Sequence, residues 1–391
     1  IEVKYREKGM TDYRDKNKIN DLNKTWPDAR LIIVSLNKPH FSISRVKARI
    51  AFVGDFKYNF GSSNTILNYV RTGAALGYEF RVSEFGNIDK IVRGSIPVAK
   101  KNWKPDLFVF VYESYQFLSD EDIDQICSFI PRSQRIIIDP DGKYSQPESI
   151  SGDTNHSTPD SYKYWKNLYD VLSDIVLQPT IKPVESKKIQ SFLYFGMGYK
   201  NSSFIKRPKK FDLIYVGNNW YRWSAIYFLI KAIAPIRSRL KRVALIGEYW
   251  SNKILPVYEG TTYSDVNFLK KNNIEILEPT PYGQVETTMS MGLINPVFVR
   301  PILNKLKFVT PRMFETFTAD TVPLIPKYFT HAQDLYGSDV NKLLLSNNPA
   351  RDILKILDNY KTYNNLCREI REMLNKKHSY KTRINQLLKF A

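Results

Sequence analysis

The stretch Thr310-Pro311-Arg312-Met313-Phe314-Glu315-Thr316-Phe317-Thr318-Ala319-Asp320-Thr321-Val322-Pro323-Leu324-Ile325-Pro326 decides how this chain is read. Thr310 suits an N-cap and Pro311 the first helical position, where a missing N–H removes nothing. A short helix from Arg312 to Ala319 should follow, opening with free backbone amides whose dipole favours an anion. The apolar run Val322-Pro323-Leu324-Ile325 behind it reads as a short strand buried on both faces, the habit of a parallel sheet. Glu315, in the first turn, has two readings. Its carboxylate can accept both hydroxyls of a ribose while Arg312 meets a diphosphate in a bidentate fashion. Alternatively it complements the helix dipole, with Arg312 as its ion-pair partner.

Working outward, the same alternation of strand and helix recurs. Strands are expected at Ile50–Val53, Glu79–Phe85, Leu107–Val111, Arg135–Ile138 and Ile175–Leu177, with helices near 64–76, 119–130 and 160–172. A second series of strands falls at 213–217, 243–246, 274–277, 293–297 and 322–325. Such alternation predicts parallel sheets covered on both faces. Gln178-Pro179-Thr180 and the basic, turn-forming stretch from Asn201 to Lys210 mark a hinge between the series. Residues 1–28 are polar and charged and read as a helical or partly ordered extension, with Leu31-Ile32-Ile33-Val34 an edge strand or linker. Beyond Asp352 an amphipathic pattern through Ile353, Leu354, Ile356, Leu357, Tyr360 and Leu366 ends the chain as helices. The expected divisions are an extension over 1–48, a first α/β domain over 49–205, a second over 206–375 and a closing helix over 376–391.

A chain of 391 residues with 43% hydrophobic and 14% aromatic content is long enough and apolar enough for two cores. Cys127 and Cys367 lie far apart, without zinc or disulfide spacing, and point to buried thiols in a reducing compartment. No run approaches the ~20 apolar residues of a membrane span, and Ile1-Glu2-Val3-Lys4-Tyr5-Arg6 lacks the apolar core of a signal peptide. A cytoplasmic protein is therefore expected. The net charge of +19 concentrates anything anionic at the surface, whether nucleotide sugar, lipid headgroup or nucleic acid, or it serves solubility alone. No helix-turn-helix, RNP motif or zinc finger accompanies it, so specific nucleic-acid reading is not expected.

Doubly wound sheets bind ligands at the carboxyl ends of their strands, which makes each strand-to-helix turn a candidate. In the first, Gly54 to Thr65, Gly61 permits close backbone approach and Ser62, Ser63 and Asn64 cap the helix; a ligand loop and a plain capped turn remain equal readings. Asp139-Pro140-Asp141-Gly142-Lys143 offers two carboxylates at such a turn, or is a Pro-Asp-Gly turn explained by backbone geometry. His156 follows in a polar loop, facing a cleft or merely exposed. In the second series, Arg222 after the Gly217 turn is placed to stabilise a leaving diphosphate. Tyr249 and Tyr282 carry rings that can stack on a nucleobase.

Four stretches, taken in order, resemble the glycosyl-transferase-like family first noticed in bacterial spore-coat maturation proteins, a relative of the family 4 glycosyltransferases. They are Leu213-Ile214-Tyr215-Val216-Gly217-Asn218-Asn219-Trp220-Tyr221-Arg222-Trp223, Val243-Ala244-Leu245-Ile246-Gly247-Glu248-Tyr249-Trp250, Arg312-Met313-Phe314-Glu315, and Lys377-His378-Ser379-Tyr380-Lys381-Thr382-Arg383. The resemblance covers roughly the C-terminal half. It implies a GT-B architecture: two Rossmann-like, doubly wound parallel-sheet domains facing a cleft, with C-terminal helices crossing back. It further implies a retaining glycosyltransferase that moves a sugar from a nucleotide-diphosphate donor without a metal or other cofactor. The donor site it suggests comprises Gly61, Ser62, Gly217, Arg222, Tyr249, Tyr282, Thr310, Arg312, Phe314 and Glu315, with Asp139, Asp141 and His156 on the catalytic side. The basic charge adds the expectation of a glycan or lipid-linked saccharide acceptor at the inner membrane face, with peripheral contact to anionic lipid. A phage-type transferase acting on DNA bases and a non-catalytic coat-assembly protein are the alternatives. The sequence departs from family 4 at Lys307, where those enzymes carry a glutamate that touches the transferred sugar, and at Thr318-Ala319-Asp320, where the family favours Ala-Cys-Gly. The first departure bears on donor identity and stereochemical outcome.

Overall fold

The computed structural model describes residues 46–57, 60–113, 116–145, 159–182, 188–198, 207–251 and 259–391, and Lys47–Ala391 form one compact unit. The expectations for residues 1–45 and for His156 lie outside the described residues.

The first sheet contains β1 (Arg49–Phe56), β2 (Glu79–Ser83), β3 (Asn87–Ile88), β4 (Val98–Ala99), β5 (Leu107–Val111), β6 (Arg135–Ile138), β7 (Val176–Gln178) and β8 (Ile189–Ser191). They run in the order β4-β2-β1-β5-β6-β7-β8, with β3 also on β1, and every pairing is parallel. Register places Ile50 opposite both Phe80 and Leu107. Central strands read as apolar throughout because both faces are covered: all five residues of β5, Leu-Phe-Val-Phe-Val, are buried. The second sheet contains β9 (Phe211–Val216), β10 (Val243–Ile246), β11 (Ile274–Leu277), β12 (Gly292–Pro296) and β13 (Val322–Leu324). Its order is β11-β10-β9-β12-β13, again parallel throughout. The expected strands are present within a residue or two at each end, except that β1 runs three residues past the expected Val53, to Phe56. The two-residue β3 and β4 and the largely exposed β8 were not expected, since too few side chains are buried on them to leave a pattern.

Both sheets have the property that decides where a ligand goes. Strand order reverses between β1 and β5 in the first sheet and between β9 and β12 in the second. At such a reversal the connections leave to opposite sides, and a crevice opens at the carboxyl ends.

Several contacts tie the two sheets together. Thr180 forms an antiparallel bridge with Phe308, and the Val309 amide donates to the Pro179 carbonyl at 2.7 Å. The Tyr282 hydroxyl donates to the Ser63 carbonyl at 2.8 Å, and the Gly283 amide to Asn64 Oδ1 at 3.2 Å. The chain then returns. After the helix Tyr360–His378, Ser379 caps the next helix, Tyr380–Leu387, by accepting from the Thr382 amide. That last helix packs on Gly61–Leu76 of the first sheet's layer, with Tyr380 edge-on to Tyr69 at 5.2 Å. Buried Arg383 secures it by donating from Nε to the Phe195 carbonyl at 2.9 Å, while its Nη2 meets His378 Nδ1 at 2.7 Å. Burial, then the Arg383 charge, pushes the His378 imidazole down to about 4. A neutral ring suits this place as a hydrogen-bond partner of the guanidinium.

Candidate functional site

On the first sheet, the helix Gly61–Leu76 follows β1 and opens at the crevice. Its leading amides are taken by a carboxylate of the protein itself: Glu113, two residues past β5, accepts from the Gly61 amide at 3.1 Å and the Ser62 amide at 2.8 Å. A methyl group on Gly61 would sit 2.8 Å from Pro311 Cγ, so this glycine is what lets the two halves approach here. Burial, and next the charge of Asp141, raises the Glu113 carboxyl to about 7.

Asp139 and Asp141 follow β6, and the structure gives them different surroundings. Asp139 is fully buried and accepts four hydrogen bonds, from the Lys143 and Tyr144 amides, the Tyr169 hydroxyl and Gln178 Nε2. It holds the Pro-Asp-Gly turn closed around Gly142, whose φ of 73° is left-handed. Asp141 points the other way. Its Oδ2 lies 3.1 Å from Arg300 Nη1, carried on the second sheet's side of the cleft, and 3.9 Å from Lys143 Nζ. The Lys143 ammonium sits 4.8 Å over the Trp165 ring.

On the second sheet, Gly217 follows β9, and a Cβ there would fall 2.6 Å from Arg312 Nη2. Arg312 also lies 5.2 Å over the Tyr215 ring and 3.9 Å from Glu315 Oε2. Arg222 donates from Nη1 to the Trp220 carbonyl at 2.6 Å, and its buried Nε has no partner. Burial holds the Arg222 guanidinium below its ordinary value; Tyr215 opposes this, and the Arg300 and Arg312 charges add to it. Arg300 follows β12 and stacks 5.6 Å over Tyr221. Three guanidiniums thus crowd the reversal point of the second sheet, an arrangement that an anion with several oxygens would relieve.

The helix Arg312–Thr318 carries Glu315 in its first turn. It begins differently from the expectation: Pro311 is the cap residue without a side-chain hydrogen bond, and buried Thr310 Oγ1 has no partner. The Met313 and Phe314 amides close on the Thr310 and Pro311 carbonyls. The Met313 and Phe314 amides are therefore not open to a ligand, and the charge that could meet an anion here is that of the arginines. Burial raises the Glu315 carboxyl and Arg312 opposes it. Glu286, on the helix Val285–Met289, is raised to about 7 by burial and then by the charge of Glu315. Phe314 is buried with its ring 5.9 Å from His378. Tyr249 adopts a left-handed backbone (φ 66°), as do Tyr221 (φ 56°) and Lys307 (φ 56°). Such conformations cost of order 1 kcal/mol or more each and gather at ligand sites. The Tyr249 ring lies 6.4 Å from Trp220, whereas the Tyr282 hydroxyl is engaged with Ser63.

The structure therefore brings Gly61, Ser62 and Asp141 near Arg222, Arg300, Arg312 and Glu315, and it sets Asp139 apart as a support. Glu113, Glu286 and Arg300 were not singled out from sequence. Glu113 and Arg300 were discoverable, because each follows an apolar run at or just past the carboxyl end of a strand, Val109-Phe110-Val111 in β5 and Val297-Phe298-Val299 beyond β12. Glu286 gives no local signal. Among the described residues no group of three or more His, Cys, Asp or Glu side chains could hold a metal ion, and no helix is long and apolar enough to cross a membrane.

No family model matches the chain, and no curated protein sequence matches it. Solved structures do. An α-glucosyltransferase in complex with UDP-glucose and DNA containing an abasic site aligns at TM-score 0.59 and 11% identity, over 88% of this chain and 98% of that one. The T4 phage β-glucosyltransferase aligns at TM-score 0.53 and 14% identity, over 88% and 99%; it also matches, with the same values, as a complex with UDP and Mn2+. The chain has the GT-B fold, two parallel α/β sheets facing a cleft. Both of these solved structures are glucosyltransferases, the second of them from T4 phage.

Proposed function

We propose that the protein is a glycosyltransferase that takes a sugar from a nucleoside-diphosphate donor. The observation that carries this reading is the convergence of Arg222, Arg300 and Arg312 at the reversal point of the second sheet, opposite Glu113 and Asp141 at that of the first. Glu315 would accept the ribose hydroxyls, and the three arginines would hold the diphosphate. As an acceptor hydroxyl oxygen bonds to the anomeric carbon, the bond from that carbon to phosphate oxygen breaks. The proton passes to the Asp141 carboxylate, and the nucleoside diphosphate leaves with its new charge facing fixed guanidiniums. Those cations supply in place what a bound metal supplies elsewhere.

For the acceptor we infer DNA. Neighbours of this architecture were solved with DNA, one of them with DNA containing an HMU base, and a net charge of +19 suits a phosphate backbone. The glycan or lipid-linked acceptor of the spore-coat resemblance is the competing outcome. The test is incubation with UDP-glucose and duplex DNA carrying hydroxymethylated bases, read by the mass of the released nucleosides, beside a panel of lipid-linked saccharides. A hexose on the base, with DNA binding that weakens steeply with salt, supports the reading. Transfer to saccharide alone removes the DNA acceptor, and failure of any nucleotide sugar to raise the melting temperature removes the donor site.

A further inference from the structure

Arg300 is the side chain that belongs to both halves of the site. Its Nη1 pairs with Asp141 Oδ2 at 3.1 Å, with both side chains only 9% exposed. The same guanidinium is close enough to Arg222 to push against its charge, within the group that faces the diphosphate position. We infer that Arg300 couples the two substrate sites: donor diphosphate and the Asp141 carboxylate compete for one guanidinium, so donor binding loosens the ion pair and leaves Asp141 a stronger proton acceptor. This rests on the donor site proposed above.

Two buried anions that share one cation each hold it less well than either would alone. Linkage makes the effect reciprocal, so whatever weakens the hold of Asp141 on Arg300 strengthens diphosphate binding by the same factor. The other groups facing Asp141 set limits on the effect. Lys143 lies 3.9 Å away and keeps the carboxylate from being stranded without a counter-charge. Glu113 and Tyr169 each feel the Asp141 charge. The consequence is an order of events: the acceptor-side base gains strength once a donor is in place, which guards against wasted proton transfers in a half-filled site.

The test is a double-mutant cycle on the full chain, titrating UDP and, as a probe independent of the base, inorganic pyrophosphate, with uridine as the control lacking phosphate. Asp141→Asn should tighten UDP and pyrophosphate about tenfold, within the usual range of site-to-site coupling, and leave uridine unchanged. In an Arg300→Gln background the same Asp141→Asn change should have no effect, and Arg300→Lys should restore part of it. Equal tightening with and without Arg300 would mean that Asp141 merely repels the anion, and the inference would be overturned. No change on Asp141→Asn would overturn it as well. Should Arg300→Gln fail to fold, Arg300→Met, which keeps the bulk of the side chain without its charge, completes the cycle. If the wild-type protein binds neither UDP nor pyrophosphate, the donor site itself is lost and this inference with it.

Discussion

Asp139 and Asp141 are two residues apart on one turn, yet their roles diverge completely. Asp139 is surrounded by four donors from its own half of the molecule, while Asp141 reaches across the cleft to Arg300. Under the proposed function, the difference separates a carboxylate that supports its own turn from one that would take part in transfer. A group satisfied by local backbone fixes a turn. A group whose partner sits on the facing sheet has a role that depends on what enters between them. Glu113, tied to local amides yet facing Asp141, lies between these extremes.

Mutations can break this contrast, and the largest effects should come from the cationic side. Arg222→Ala should lower kcat about 10²- to 10³-fold in steady-state assays with UDP-glucose, since a fixed charge at a leaving group has that value. Asp141→Asn should lower kcat about 100-fold per folded molecule, as for removal of a general base, a loss that its change in stability does not account for. Asp139→Ala should do the reverse, costing about 3 kcal/mol in denaturant unfolding through unsatisfied buried donors, with turnover lost only in proportion to unfolding. Comparable kcat losses from the two aspartates at unchanged stability would erase the distinction drawn between them.

A smaller effect concerns pH. The Glu113 and Glu286 carboxyls rise from an ordinary 4.5 to about 7 in the fold, so the folded state prefers their neutral forms. That stability is complete below pH 4.5 and is lost as pH climbs through about 7. Unfolding free energy should therefore fall between those values, and Glu113→Gln should flatten the slope by about 1–2 kcal/mol. A rise over the same range would contradict the assignment. The smallest effect should be that of EDTA, which is expected to leave transfer unchanged; metal-dependent recovery after chelation would show that the arginines are not sufficient.

Much of this was legible in the chain. Strong apolar runs such as Leu107–Val111 and Val243–Ile246 gave their strands, because burial on both faces leaves no room for polar residues. Arg312 and Glu315 stood out because a Pro-led helix just before a buried strand is a distinctive local pattern. What stayed hidden depends on distance along the chain. The Asp141–Arg300 pair joins residues that only the facing of two sheets brings together, and Glu286 becomes informative through Glu315 on another helix. The amides of the helix Gly61–Leu76 looked open to a ligand from sequence because their occupant, Glu113, lies 52 residues away.

The returning helix has a consequence for how the protein is made. Tyr69, near the start of the chain, packs on Tyr380, and Arg383 reaches the carbonyl of Phe195. A ribosome emits residues in order, so the layer over the first sheet cannot be completed until residues 380–387, roughly two hundred positions beyond its last strand, have emerged. Deleting residues 380–391 should therefore injure the first sheet most, leaving it exposed and prone to clump.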